Sequence, residues 1–201
     1  LPETDDRATY TLRAILLDGT DKVLHYADEE LEVFAREEIE KPTSLFVSAE
    51  QFLADKDALL TKAEEGATLV IEGLRPGTYD IGGTEVTVKV CGMRALHFVS
   101  RKTGHPLVEG FTPYDFRLWY DEKADCITPL IRTTFRAEGM TPILTSGNSL
   151  RGSAWGQKLY PALACAEKSY GKGKIVVNQV DLTSHLANPV CRKFRNRLGA
   201  F

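Results

Sequence analysis

The spacing of apolar and polar residues changes character along this chain. From Thr9 to Leu17 (TYTLRAILL) the two kinds alternate, Asp18-Gly19 supplies a turn, and an extended pattern resumes from Lys22 to Phe34. Period-two alternation on both sides of an Asp-Gly turn predicts a β-hairpin. Two strands alone do not make a stable sheet in water, so the hairpin is expected to close a β-sandwich whose other strands lie upstream. The charged stretch Ala35 to Pro42 (AREEIEKP) then reads as a linker.

After Pro42 the period lengthens. Thr43 to Val47 is a short apolar strand, and Ser48 with Gln51 forms a capping-box signature. Phe52, Leu53, Leu59, Leu60 and Ala63 fall on one helical face before Gly66 stops the helix, and Ala67 to Ile71 (ATLVI) is a second buried strand. Strand, helix, strand within about thirty residues predicts a βαβ unit, and so a parallel sheet with a right-handed crossover. Gly82-Gly83 between Thr78–Ile81 and Thr84–Val90 predicts a hairpin, and Met140 to Thr145 reads as a core strand. A further hairpin is expected where Tyr160–Tyr170 and Lys174–Val180 flank Gly171-Lys172-Gly173. At the end of the chain Asn188 precedes Pro189, Val190, Phe194 and Leu198 recur at i, i+4 and i+8, and Gly199 follows, which predicts a capped amphipathic helix.

Composition narrows the class. Of 201 residues, 43% are hydrophobic and 26% charged, ordinary values for a globular domain, and the formal net charge of -3 gives no footprint for nucleic acid or an anionic membrane. No apolar run reaches transmembrane length, and no charged segment followed by an apolar one marks a signal peptide. Leu1-Pro2-Glu3-Thr4 resembles a cell-wall sorting signal, but Asp5 stands where Gly is required. Cys91, Cys126, Cys165 and Cys191 form no CxxC pair, so reduced and mostly buried thiols of a cytoplasmic protein are expected.

Candidate chemistry is sparse. Gly171-Lys172-Gly173-Lys174 runs into a strand instead of leaving one for a helix, so a turn is expected there and not a dinucleotide fingerprint. No G-x-S-x-G elbow surrounds a serine or cysteine, although Cys91 or Ser146, each after a strand, could serve an unusual hydrolase. His25, His97, His105 and His185 show no metal-ligand spacing. His105, in the stretch Arg101 to Gly110, reads first as a turn histidine. Phe111, Tyr114, Phe116, Trp119 and Tyr120, with Trp155 beyond, are the most suggestive group. Aromatic faces stack on sugars and also dominate cores, and alternation over Phe116, Leu118 and Tyr120 favours core or domain interface. The residues singled out for contact with a sugar or a neighbouring domain are His105, Arg117, Trp119, Tyr120 and Trp155; no catalytic, cofactor or metal residue is assigned.

Three stretches carry a family resemblance: His97 to Asp121 (HFVSRKTGHPLVEGFTPYDFRLWYD), Thr141 to Asn148 (TPILTSGN), and Ala166 to Leu182 (AEKSYGKGKIVVNQVDL) with Asn188 to Phe194. With them the chain resembles the C-terminal region of glycoside hydrolase family 2 proteins, the group of β-galactosidases, β-glucuronidases and β-mannosidases. The resemblance implies an α/β, flavodoxin-like sandwich of the class I glutamine amidotransferase type with a mostly parallel sheet. It would occupy residues 41–201, after the last strands of an immunoglobulin-like β-sandwich and a linker in residues 1–40. Neither catalytic programme carries over. The family's Asn-Glu pair is missing, its (β/α)8 barrel needs about 250 residues, and no His-x-Glu or elbow cysteine of an amidotransferase occurs. The expectation is a non-catalytic, cofactor-free accessory domain of a cytoplasmic glycosidase. Its partners would be the upstream sandwich and barrel of the same polypeptide, with a homo-oligomer interface and carbohydrate left open. The rivals are a carbohydrate-binding module built on the aromatic group and an amidotransferase-like hydrolase.

Overall fold

The computed structural model describes residues 3–91, 96–146 and 162–201. The chain divides into two compact units, Leu1–Glu38 and Ile39–Phe201. The first is a single long hairpin in which β1 (Arg7–Leu17) pairs antiparallel with β2 (Val23–Phe34). Its turn is held by the Asp18 carboxylate, which accepts hydrogen bonds from the Thr20 and Lys22 amides and is held below the usual carboxylate range by the Thr20 hydroxyl and these amides. Residues directly opposite in a ladder share a face. Arg13 and the opposite Asp28, and Arg7 and its diagonal neighbour Glu32, form ion pairs on one face, while Ala8, Tyr10, Leu12, Ala14 and Leu16 line the other with Val33, Leu31, Glu29, Ala27 and His25.

The second unit opens with β3 (Leu45–Ser48), α1 (Ala49–Ala54), α2 (Lys56–Glu65) and β4 (Thr68–Glu72), the expected βαβ unit. The capping box forms as read: the Gln51 amide donates to Ser48 Oγ, and the Ser48 amide donates to the Gln51 side chain. The single helix expected there is broken at Asp55, which puts Leu53 outside, 54% exposed. There follow β5 (Gly77–Ile81) and β6 (Thr84–Val90), the short pair β7 (Tyr120–Asp121) and β8 (Cys126–Ile127), then β9 (Thr133–Ala137), β10 (Thr141–Ser146), β11 (Ala162–Tyr170), β12 (Gly173–Asn178) and α3 (Pro189–Gly199).

Eight strands form one curled mixed sheet in the order β3-β4-β12-β11-β9-β6-β5, with β10 also on β11. One face packs against α1 and α2, where Phe52, Leu59, Leu60 and Ala63 meet Ile71, Val177 and Ala166. The other carries α3 and an aromatic cluster of Phe111, Phe116, Trp119 and Phe194. The last helix is capped as predicted, Asn188 Oδ1 accepting from the Val190 and Cys191 amides. No helix among the described residues is long and apolar enough to cross a membrane.

This architecture corrects the expected flavodoxin-like, amidotransferase-type sandwich. Strand makes up 44% of the structure and helix 17%. Only the β3/β4 and β4/β12 ladders are parallel, and the remaining neighbours in the sheet run antiparallel. The physical reason lies in the connections. A parallel neighbour requires a crossover of a dozen or more residues, whereas antiparallel neighbours can share a tight turn. Gly82-Gly83 and Gly171, all at positive φ, make such turns between β5 and β6 and between β11 and β12. In the first unit, among the described residues, β1 and β2 pair only with each other.

The β11–β12 turn is fitted closely to the end of α2. The Lys172 amide donates to Glu64 O at 2.8 Å, and a Cβ placed on Gly173 would overlap the carbonyl oxygens of Ala67 and Ala63. Gly173→Ala should therefore cost about 1–3 kcal/mol and lower the melting temperature by several degrees. Gly19→Ala, where the added Cβ meets nothing within 4 Å, should leave it nearly unchanged. Thermal unfolding followed by circular dichroism compares the two, and equal effects would contradict the steric account.

Candidate functional site

The parallel registers place Ser48 beside Glu72 and Glu72 beside Asn178, the last residues of three adjacent strands, in one row on one face. The next residue along the row, Cys165, lies on β11 opposite Asn178. An apolar sheet thus ends in polar side chains at its carboxyl edge, the place where open α/β sheets bind ligands. A cleft of about 610 Å³ opens there.

Its walls are fixed by hydrogen bonds. Gly73, at φ +68°, turns the chain out of β4 while its amide donates to Asn178 O at 3.0 Å. The following loop is held at Leu74 O, which accepts from Gln179 Nε2 at 3.1 Å and Thr133 Oγ1 at 3.3 Å. Asn178 Nδ2 donates to Val180 O and to Glu72 Oε1, and the Val180 amide returns a bond to Asn178 Oδ1. Gln179 Oε1, buried in the same wall, has no hydrogen-bond partner among the described residues.

Charge in the cleft is mixed. Glu72 and Asp181 contribute carboxylates, Arg75 and Arg132 guanidiniums; Arg75 also reaches Glu50 at 2.7 Å. Burial pushes the Glu72 carboxyl above its ordinary range. The Asn178 hydrogen bond and the charge of Arg195 pull it back, and Asp181 adds a smaller push upward. A carboxyl placed this way is a hydrogen-bonding group whose protonation is coupled to whatever occupies the cleft.

The residues singled out from sequence do not converge on one surface. His105 is buried: its Nδ1 accepts from the Leu107 amide at 3.2 Å, capping the turn Pro106–Val108, and Nε2 lies 3.2 Å from Glu167 Oε1. With Nδ1 accepting, the ring proton sits on Nε2 and points at Glu167, which Lys174 approaches at 3.3 Å on its other oxygen. Trp119 is 1% exposed, donates Nε1–H to Asp115 O, and packs on Phe116 and His185. Arg117 lies at the surface with its guanidinium over the Tyr114 ring, and exposed Tyr120 bonds Asp125. Trp155 lies outside the described residues.

The nucleophile candidates are poorly placed. Burial raises the thiol values of Cys91 and Cys191, and raises that of Cys165 strongly, which keeps all three protonated at neutral pH. Ser146 is buried, and its Oγ has no hydrogen-bond partner among the described residues. Among these residues no group of three or more His, Cys, Asp or Glu side chains could hold a metal ion. Sequence reading passes over Glu72, although a carboxylate directly after the second strand of a βαβ unit is a usable signal.

No family model matches the chain, and no curated protein matches it. Among solved structures it is similar to the β-galactosidase from Rahnella sp. R3, at 14% identity and a TM-score of 0.43 over 78% of this chain and 21% of that one. It is also similar to the β-galactosidase from Bacillus circulans sp. alkalophilus, at 9% identity and a TM-score of 0.36 over 76% and 22% of the two chains. A cytoplasmic protein from Salmonella typhimurium matches at 11% identity and a TM-score of 0.41 over 94% of each chain. The chain spans about a fifth of the length of the two β-galactosidases. Likenesses at this level leave the function to be argued from the cleft itself.

The raised carboxyl has a measurable consequence. The folded protein binds the Glu72 proton more tightly than the unfolded chain does. The stability linked to it is fully present below the unfolded-state carboxylate value and is lost as pH rises through the raised one. Glu72→Gln keeps an oxygen acceptor for Asn178 and removes the buried charge. The variant should melt above the wild type at pH 7, with the gap closing below the ordinary carboxylate range. Melting curves at several pH values test this, and a variant less stable at pH 7 would contradict it.

Proposed function

We propose that the chain is a non-catalytic accessory domain of a glycosidase-type protein, and that its cleft binds a neutral, polyhydroxylated ligand of the sugar class. The observation that carries this reading is the cleft at the carboxyl edge of β3, β4 and β12. Its hydrogen-bonding side chains are held in place, and its two carboxylates are balanced by two guanidiniums. Balanced charge disfavours a strongly ionic ligand. Carboxylate and guanidinium groups, each able to make two hydrogen bonds, match the neighbouring hydroxyls of a sugar ring. Phe46, Leu74, Pro76 and Leu182 supply the apolar surface on which a ring's C–H face can lie.

A binding role is favoured over catalysis by the state of the reactive groups. Three thiols are raised by burial, and the two buried imidazoles are each tied by both ring nitrogens: His105 to the Leu107 amide and Glu167, His185 to Asp181 O and Thr128 Oγ1. The glycosidase parent is supported by the three sequence stretches named above, and its other domains, on the same polypeptide, are the proposed partners. The cleft replaces the aromatic group as the proposed sugar site because the Trp119 ring is buried and cannot stack on a ligand.

Amide chemical-shift mapping and calorimetry with a panel of mono- and disaccharides test the proposal. Binding near about 1 mM is expected, with shifts concentrated at Gly73, Arg75, Gln179 and Asp181. Asp181→Ala should weaken it by about tenfold, the loss of roughly one charged hydrogen bond. Unmoved cleft amides at tens of millimolar sugar would overturn the ligand class. Turnover of chromogenic glycosides, lost on mutating the chain's own carboxylates, would overturn the non-catalytic reading.

A further inference from the structure

The hairpin of the first unit is a two-stranded sheet with one face that is apolar along β1 and carries Glu29 and His25 on β2, and isolated two-stranded sheets are at best marginally stable in water. Leu12 is 57% exposed and Leu16 60% on that face, with Ile15, Leu24 and Tyr26 exposed elsewhere on the hairpin. Both outer edges are long. Such an edge pairs readily with another chain unless charge, proline or a bulge prevents it.

The two edges are chemically different. β2 carries Asp28, Glu29, Glu30 and Glu32 within five residues, so pairing it with its own copy would crowd eight carboxylates into one stretch. β1 has no acidic residue in its eleven, and its two arginines already face Glu32 and Asp28 within the hairpin. Its ladder to β2 is regular from Arg7 to Leu16, with a shift only at Leu16/Leu17. Charge therefore closes one edge to a second copy and leaves the other open.

We infer that two copies of the chain associate through their β1 edges, antiparallel about a two-fold axis at Leu12. This register pairs all eleven residues of β1, since Leu12 is its midpoint. It brings Leu12 against Leu12, Tyr10 against Ala14 and Leu16 against Ala8, and it sets Arg13 against Thr11, so no like charges meet. The result is a four-stranded sheet in the order β2-β1-β1-β2 with one continuous apolar stripe and its acidic strands outermost. Pairing of identical edges is isologous and closes at two copies, whereas β1 on a partner's β2 would propagate into open filaments.

Sedimentation velocity of the full chain from about 1 to 100 µM reads the outcome. A dimer is expected, unaffected by about 0.5 M salt because backbone pairing and apolar contact hold it. Leu12→Lys should shift it to monomer while the melting of the second unit is unchanged. If Leu12→Lys fails to fold, Leu12→Cys in a Cys126→Ser background supplies the second measurement. Mild oxidation should cross-link the introduced thiol to that of the other copy, while Leu24→Cys in the same background should not cross-link. A monomer at about 100 µM, a dimer that survives Leu12→Lys, or equal cross-linking at the two positions would overturn the inference. None of these outcomes touches the cleft proposal, which is tested on the second unit by ligand titration.

Discussion

The parallel ladder that joins β12 to β4, from Lys174 opposite Thr68 to Asn178 opposite Glu72, holds the second unit together. It links segments more than a hundred residues apart and sits between the parallel β3–β4 pair and the antiparallel strands that follow β12 in the sheet. Its register also sets the chemistry. A slip of one residue would turn Glu72 and Asn178 to the face of Phe52 and Leu60, and would present Ile71 and Val177 at the cleft. The apolar identity of those two residues on one face and the polar identity of their neighbours on the other thus specify the fold and the site together.

Glu72 shows how far the site departs from a pure packing solution. A carboxylate pushed up by burial costs stability at neutral pH, and an apolar residue would be cheaper at that position. The Asn178 hydrogen bond and the charge of Arg195 reduce that cost only in part, and Gln179 Oε1 in the same cleft wall is left without a partner among the described residues. Polar groups that are incompletely satisfied at the end of a sheet are the sort of local conflict that structures retain where a ligand completes the set. The His105–Glu167–Lys174 group differs in this respect. There the imidazole is satisfied at both nitrogens and tied to a turn cap, as suits a structural role.

Sequence reveals the elements whose signals are local. The Asp-Gly turn, the capping box at Ser48 and the Asn188-Pro189 helix start are each set by residues within a few positions, and each forms as read. Sheet direction depends on which strands become neighbours, and there the reading fails. One convincing βαβ unit suggests a parallel sheet throughout, while the glycine turns after β5 and β11 argue for antiparallel neighbours. Asp55, at φ −121° and ψ 29°, breaks the helix into α1 and α2, which the apolar periodicity does not display. The aromatic stretch is ambiguous for a different reason. Alternation places Phe116, Leu118 and Tyr120 on one side, yet Phe116 is buried and the other two are exposed, because Leu118 takes φ +50° and reverses the pattern.

The β4–β12 ladder also has a meaning in time. During synthesis β4 emerges roughly a hundred residues before the strand that covers it, which at about 5–20 residues per second leaves its edge uncovered for about 5–20 s. That edge is Leu69-Val70-Ile71, uncharged and rich in β-branched residues, in a topology whose long loop closure is intrinsically slow. For those seconds the chain on the ribosome carries a sticky half-sheet. Yield in the cell would then be governed by how long this strand waits for its neighbour, rather than by the stability of the finished fold.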